Sequence, residues 1–275
     1  MHKKSFILKS LVIFSAVLTF TILLFLIGYI LVRGIPHLNL SLFAWKYTSE
    51  NVSLVPALIN TVFIVVLALV IAVPLGIGAA IFLIEYAKRG NKFVNVIRIT
   101  TETLSGIPSI VYGLFGMLFF VVALKWRYSI LAGAFTVSIM ILPLIMRTTE
   151  EALKAVPDTY REGSFGLGAG KLRTVFRVVL PSAIPGILAG VILGVGRIVG
   201  ETAALIYTAG TVAEIPDSVM QSGRTLAIHM YTLSNEGLYM DQAHATAVIL
   251  LVLVVGLNAL SNFVAKKLTK GKENE

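Results

Sequence analysis

"VPALINTVFIVVLALVIAVPLGIGAAIFL", residues 55–83, runs for twenty-nine residues without a charged side chain. The hydrocarbon core of a bilayer is about 30 Å thick and an α-helix rises about 1.5 Å per residue, so roughly 20 apolar residues cross it. The stretch reads as a membrane span. It must be helical, because a lipid-facing backbone can satisfy its N–H and C=O groups only within its own segment. The composition agrees: 57% hydrophobic and only 13% charged residues over 275 positions are outside the range of an ordinary soluble protein. Outward from 55–83, further apolar runs lie at 11–32, 103–124, 129–146, 183–207 and 244–265. They make six transmembrane helices and an all-α, polytopic fold. The first run follows Lys3, Lys4 and Lys9, as a signal peptide would, but it exceeds a signal-peptide core in length and no cleavage pattern follows it. It therefore reads as an anchor. The chain divides into an anchor with a first outer loop (1–54), a transmembrane domain (55–265) and a cytoplasmic tail (266–275).

Orientation follows from Lys and Arg. With the N-terminus in the cytoplasm, the inner side holds Lys3, Lys4 and Lys9; Lys88, Arg89, Lys92 and Arg98; Arg147, Lys154, Arg161, Lys171, Arg173 and Arg177; and Lys266, Lys267, Lys270 and Lys272. The outer side keeps only Arg33, Lys46, Lys125, Arg127 and Arg224. This asymmetry predicts both termini inside. It also accounts for the net charge of +9 through anionic lipid headgroups, so the charge gives no reason to expect nucleic-acid binding. There is no cysteine, and the four histidines (His2, His37, His229, His244) lack ligand spacing, so a thiolate site is excluded and no metal is expected.

Two connections are longer than turns, at about 147–182 inside and 208–243 outside. The outer one reads as partly helical around 218–233, either lying at the interface or forming a packed cap through Met220, Leu226, Ile228, Met230 and Tyr231. In the inner one, Thr159 and Glu162 have capping-box spacing after Pro157, which predicts a short helix with Thr159 as N-cap. That helix should break near Gly166, Gly168 and Gly170, and a basic helix from Lys171 to Val179 should lead to Leu180-Pro181. Such an elbow suits a groove on another protein; resting on the membrane is the alternative. The stretch "GLGAGKL" is not a phosphate-binding loop, because that motif needs Gly and Ser/Thr where Phe165 and Leu172 stand. No nucleophile–base set suggests an enzyme.

The stretch "EGSFGLGAGKLRTVFRVVLP" (162–181) resembles the E-A-A-x3-G-x9-I-x-L-P loop of bacterial ABC importer permeases, with Glu162, Gly163, Ser164, Gly168, Val178, Leu180 and Pro181 in register. Gly163 and Ser164 replace two alanines, and Val178 replaces isoleucine. "TETLSGIPSIVYGLFG" (101–116) and "RIVGETAALIYTAG" (197–210) resemble the phosphate-specific permeases, and the order of segments from 55 to 265 is similar to the PstA type. The resemblance implies type I ABC importer architecture and a non-catalytic subunit that binds no cofactor of its own. It implies a coupling segment over 158–181 that meets an ATPase through Glu162, Gly163, Ser164, Gly168, Leu180 and Pro181. The implied partners are a homologous second permease, two ATPase subunits that hold ATP and Mg, an extracytoplasmic phosphate-binding protein, inorganic phosphate and membrane lipid.

Arg197, Glu201 and Thr202 mark a candidate substrate pathway. An ionised side chain within a span costs at least about 2.5–3.5 kcal/mol, so it should face protein or a wet cavity. Arg197 and Glu201 neutralise each other at i,i+4 spacing or pair with the second permease, or Arg197 offers an oxyanion two charge-assisted hydrogen bonds, and the two readings are compatible. Two small-residue stripes, Gly186-Gly190-Gly194 and Gly196-Gly200, predict close helix packing, one within the chain and one against the second permease. Pro74, Pro108, Pro143 and Pro185 should kink or break spans, and the break in "SGIPSIVYG" either lines a cavity or merely bends the helix. Two rival readings are a permease for another oxyanion, sulfate or molybdate, and a secondary transporter. The latter usually shows repeats with helices broken at corresponding positions, and no half-to-half repeat is visible here.

Overall fold

The computed structural model describes residues 2–88 and 90–273, with side chains described at 8–88, 90–260 and 263. Arg89 lies outside the described residues, as do the side chains of Lys3, Lys4 and the lysines of 266–272. The described chain is helical throughout: α1 His2–Gly34, α2 Val55–Ile81, α3 Lys92–Ser105, α4 Ser109–Gly116, α5 Ile130–Lys154, α6 Asp158–Gly166, α7 Lys171–Thr174, α8 Leu180–Val199, α9 Ala203–Ile206, α10 Leu226–Glu236 and α11 Met240–Glu273. Five helices are long and apolar enough to cross a membrane, or six if the bent pair Lys92–Ser105 and Ser109–Ala123 is counted as one span.

Helix α5 is the central post. It packs against α2 on one side and α8 on another, α8 packs on α11, and α11 carries α1 and α10. Small residues let α2 approach α5: Ala68 and Ala72 are buried with Val137, Ile141 and Ile145 in one cluster, and the Ser138 hydroxyl donates to the Ala68 carbonyl at 3.2 Å. Close contact substitutes for hydrophobic expulsion here, because lipid is as apolar as the helices themselves. The first glycine stripe has the same purpose. A Cβ at Gly186 would lie 2.7 Å from the Cβ of Ala152, and one at Gly190 would lie 2.6 Å from the Cβ of Thr148, whereas Gly196 faces open space. Helix α1 is exposed on every side from Leu8 to Leu26 and touches the body at its far end, where Gly34 meets His244 and Val248 of α11. That is the geometry of a peripheral anchor.

Several predicted boundaries move. The span at 103–124 is not one rod: the helix axis turns by 102° between α3 and α4. Pro108 has no N–H to donate and disfavours the helical conformation at Ile107, so the chain breaks at Gly106-Ile107-Pro108 and resumes at Ser109. From Met117 to Ala123 it continues as a π-helical segment. Residues 92–105 form an amphipathic helix that exposes Phe93, Val96 and Ile99. The span at 129–146 continues to Lys154. The expected span 183–207 is instead the end of a 29-residue rod, Lys171–Val199, followed by a break at 200–202 and the single turn α9. Pro181 falls in the first turn of α8, directly after π-helical residues Val175–Val179. Pro74, Pro143 and Pro185 sit inside continuous helices. The tail expected from 266 continues α11 as far as Glu273.

The long connection at 208–243 is a packed cap. Its helix is α10, not 218–233, and residues 218–225 are non-helical. Carbonyls of this loop answer the free N–H groups at the start of α5: Ile130 N–H donates to Gln221 O at 2.9 Å and Leu131 N–H to Val219 O at 2.9 Å. Leu226 and Ile228 are fully buried, and Leu226 N–H donates to Thr61 Oγ1 at 2.9 Å, while Met220 and Tyr231 stay exposed. Under the cap, Arg224 lies over the Tyr47 ring at 4.7 Å and His229 meets the same ring edge-on.

Two outcomes follow for stability. Gly190→Ala should lower the melting temperature of the detergent-solubilised chain, because Thr148 Cβ is fixed to backbone and overpacking costs about 1–3 kcal/mol, whereas Gly196→Ala should leave it unchanged. The pKa of His229 is lowered to about 3, first by burial and then by Arg224, against a smaller opposing effect of the Val52 backbone. The unfolded chain takes up this proton below its ordinary value of 6.5 and the folded chain does not, so stability should fall as pH drops from 6.5 toward 3. Melting temperatures across that window should vary less in His229→Gln.

Candidate functional site

The first candidate region lies where two broken helices meet. One turn into α4, a Cβ at Gly113 would lie 2.8 Å from the Ala204 Cα of α9, so the break at 106–108 and the break at 200–202 are neighbours. Each break frees backbone groups, and each is answered by a side chain. The Tyr112 hydroxyl donates to Leu104 O at 2.8 Å, and Glu201 Oε1 accepts from Ala204 N–H at 3.0 Å.

The second contact bears on the reading in which Glu201 neutralises Arg197 within the chain. Glu201 is buried and turned toward the start of α9, where a carboxylate suits both the free N–H and the positive end of the turn. No ion pair joins it to Arg197 among the described residues. Arg197, in the last turn of α8, is exposed while its neighbours Ile198 and Val199 are buried, and its charge acts on the Tyr112 phenol. Thr202 is half-buried in the break, its hydroxyl 3.5 Å from Gly200 O. A guanidinium beside two chain breaks, with its nearest carboxylate engaged elsewhere, can receive an anion. Between α3 and α5, toward the elbow, lies a polar cavity of about 280 Å³ lined by Arg98, Thr101, Glu102, Ser105, Arg147 and Glu150 among others.

The second region is the elbow. Helix α6 starts at Asp158 with Pro157 before it, so Thr159 is not its N-cap and the capping box does not form; no side chain caps the start. A proline whose extended conformation already turns the chain into the first helical residue makes the cap unnecessary. Glu162 and Gly163 are exposed. The helix ends as the glycines predict: Gly168 has φ +80°, Gly168 N–H donates to Phe165 O at 2.9 Å and Ala169 N–H to Ser164 O at 3.1 Å. This paired closure requires a left-handed residue, which glycine adopts without strain. The hydroxyls of Ser164 and Thr174 meet at 2.8 Å and tie the two arms together. Leu180 packs into the cluster beneath, and Pro181 lies in the first turn of α8. Outward, the elbow presents Tyr160, Phe165, Leu167, Leu172 and Phe176, with Leu167 at its tip 90% exposed.

Sequence reasoning missed the carboxylates behind the elbow. Glu85, just past α2, binds Arg161 at 2.7 Å, and Glu150 of α5 binds both Arg98 and Lys154 at 3.3 Å. The available signal was the presence of carboxylates in a strongly basic stretch, where a buried charge must find a partner.

Residues 72–273 match the family described as the inner membrane component of binding-protein-dependent transport systems. The chain is similar to the probable ABC transporter permease protein YqgI of Bacillus subtilis (34% identical, covering 90% of this chain and 92% of the relative). It is also similar to the phosphate transport system permease proteins PstA of Pasteurella multocida (34%, covering 70% and 72%) and Mycobacterium leprae (32%, covering 74% and 67%). Among solved structures, a chain of a bacterial alginate ABC transporter superposes with a TM-score of 0.64 over 98% of this chain and 99% of its own, at 16% identity. A chain of the inward-facing MetNI methionine ABC transporter gives 0.58 over 88% and 97%, at 19% identity. At such identities the likeness speaks for the fold alone. With the match extending over most of its length, the chain belongs to the family of binding-protein-dependent transport system inner membrane components.

Proposed function

We propose that this chain is one of two permease subunits of an ATP-driven importer of inorganic phosphate, and that both its termini face the cytoplasm. The observation that carries the reading is the exposed elbow. Five large apolar or aromatic side chains on a surface rich in lysine and arginine would be costly in water, and they fit a cleft on a partner. In this reading α6 and α7 dock on a separate ATPase subunit, with Leu167 at the centre and Glu162 and Gly168 at the contact. The ATPase supplies ATP and Mg chemistry; the permease binds neither. Gly196 and Gly200 face a homologous second permease, and an extracytoplasmic phosphate-binding protein delivers the anion to the cap side.

Phosphate as cargo is supported by the names of the PstA relatives and by the chemistry at Arg197. A guanidinium offers two parallel donors to an oxyanion. Glu201 lowers the local attraction without occupying the donors, so the anion is held weakly enough to leave. Thr202 adds a hydroxyl. Closure of the ATPase pair on ATP moves the elbow, the paired permeases open outward to accept phosphate, and hydrolysis returns them inward.

In reconstituted complex, Arg197→Gln should lower ATP-dependent phosphate uptake on the order of tenfold or more with assembly unchanged, the loss implied by about 1.5–3 kcal/mol for bonds to a charged group. Unchanged uptake refutes the role of Arg197, and inhibition by sulfate or molybdate as strong as by unlabelled phosphate refutes phosphate as the preferred cargo. Leu167→Asp should abolish co-purification of the ATPase while leaving the folded permease pair intact; retention of the ATPase refutes the docking surface.

A further inference from the structure

The elbow is fastened to the transmembrane body by one side chain more than by any other. Arg161 of α6 donates to Glu85 Oε1 through Nε at 3.2 Å and Nη2 at 2.7 Å. The same guanidinium donates to Leu153 O at 3.0 Å and Val156 O at 2.9 Å, at the end of α5, and to Asp158 Oδ1 at 3.2 Å in its own helix. Three nitrogens therefore join three elements: the end of α2, the end of α5 and the start of α6. The Arg161 side chain is 15% exposed and that of Glu85 8%, so water competes weakly for these bonds. Two lesser ties act in parallel. The Lys171 ammonium stands 5.1 Å over the Tyr86 ring, next to Glu85, and Ser164 and Thr174 hold the arms of the elbow together.

We propose that Arg161 is the positioning residue that makes the elbow, α2 and α5 move as one body, so that displacement of the elbow by the ATPase reaches the pathway instead of being absorbed by a hinge at 155–158. This rests on the coupling reading above. Among the described residues no other ion pair joins α6 to both α2 and α5: the Arg98–Glu150–Lys154 cluster links α3 to α5. Only a planar fork with donors on all sides serves three acceptor sets at once, so lysine cannot replace it.

The test is the ratio of phosphate imported to ATP hydrolysed by the full complex in proteoliposomes. Arg161→Gln should keep ATP hydrolysis and subunit stoichiometry but lower the ratio at least about fivefold, the low end of ordinary coupling energies. Arg161→Lys should not restore it. The chain has no cysteine, so within it Glu85→Cys/Arg161→Cys can be joined at those two positions alone by a bifunctional maleimide, in a complex whose other subunits carry no cysteine. The double variant should be uncoupled before the link and recover most of the ratio after it. An unchanged ratio in Arg161→Gln overturns the proposal. So does a linked double variant that remains uncoupled, or one in which hydrolysis and import fall together and linking restores neither. A wild-type chain that assembles with no ATPase would overturn the coupling reading itself, a result distinct from all of these.

Discussion

A backbone in a bilayer has no water to bond with, and this constraint decides where the chain is regular and where it is not. The exposed segments α1, α2 and most of α11 are unbroken helices. Beyond the two breaks within the spans, at 106–108 and 200–202, α4 packs on α9, and a polar side chain bonds the backbone beside each: Tyr112 at Leu104 O and Glu201 at Ala204 N–H. Glu201 is buried there, while Gly106, Pro108 and Gly200 are exposed. The same location then accommodates Arg197, in the last turn of α8. A charge that would be costly against lipid can be placed beside chain breaks, since a site built to satisfy free backbone groups is already polar.

At the elbow the balance is one of charge. The segments facing it are crowded with lysine and arginine, and unopposed they would repel one another and splay the helix ends. Two carboxylates, Glu85 and Glu150, are buried among them and bind Arg161, Arg98 and Lys154. Removing Arg161 would leave the largely buried Glu85 carboxylate without its partner, whereas Arg98 and Lys154 are about half exposed and solvent screens their bonds to Glu150. These contacts thus act chiefly as constraints on geometry. They fix which helices travel together.

Legibility in the sequence divides along the same physical line. Number and type of spans, the helix-glycine-helix elbow and the packing stripe at Gly186 and Gly190 were readable, because hydrophobic length, left-handed turns and small residues are local properties. The bend at Pro108 was visible as a proline but not as a 102° turn, since a proline within a helix, such as Pro74 or Pro143, leaves the rod continuous when packing holds it. The spacing of Thr159 and Glu162 predicted a cap that Pro157 preempts. The role of Glu201 was beyond reach: an i,i+4 partner for Arg197 is what an uninterrupted helix would provide, and the break at 200–202 removes that geometry. Glu85 and Arg161 are 76 positions apart, and only the fold brings them together.

The break also gives the two candidate regions a mechanical relation. Lys171, beside Tyr86 at the elbow, and Arg197, beside Tyr112 at the chain breaks, belong to one rod, Lys171–Val199, and at about 1.5 Å per residue they are roughly 39 Å apart along it. A rod of that length carries displacement from one end to the other with little loss, apart from the π-helical turn at Val175–Val179. Because the rod stops directly after Arg197, motion at the elbow can re-aim the guanidinium without dragging α9, whose first turn stays capped by Glu201 and packed on α4. Had Glu201 instead paired with Arg197, every such movement would have to break a buried ion pair before an anion gained access. In the proposed anion pathway, turning the carboxylate toward the backbone would leave Arg197 able to change its surroundings at small cost.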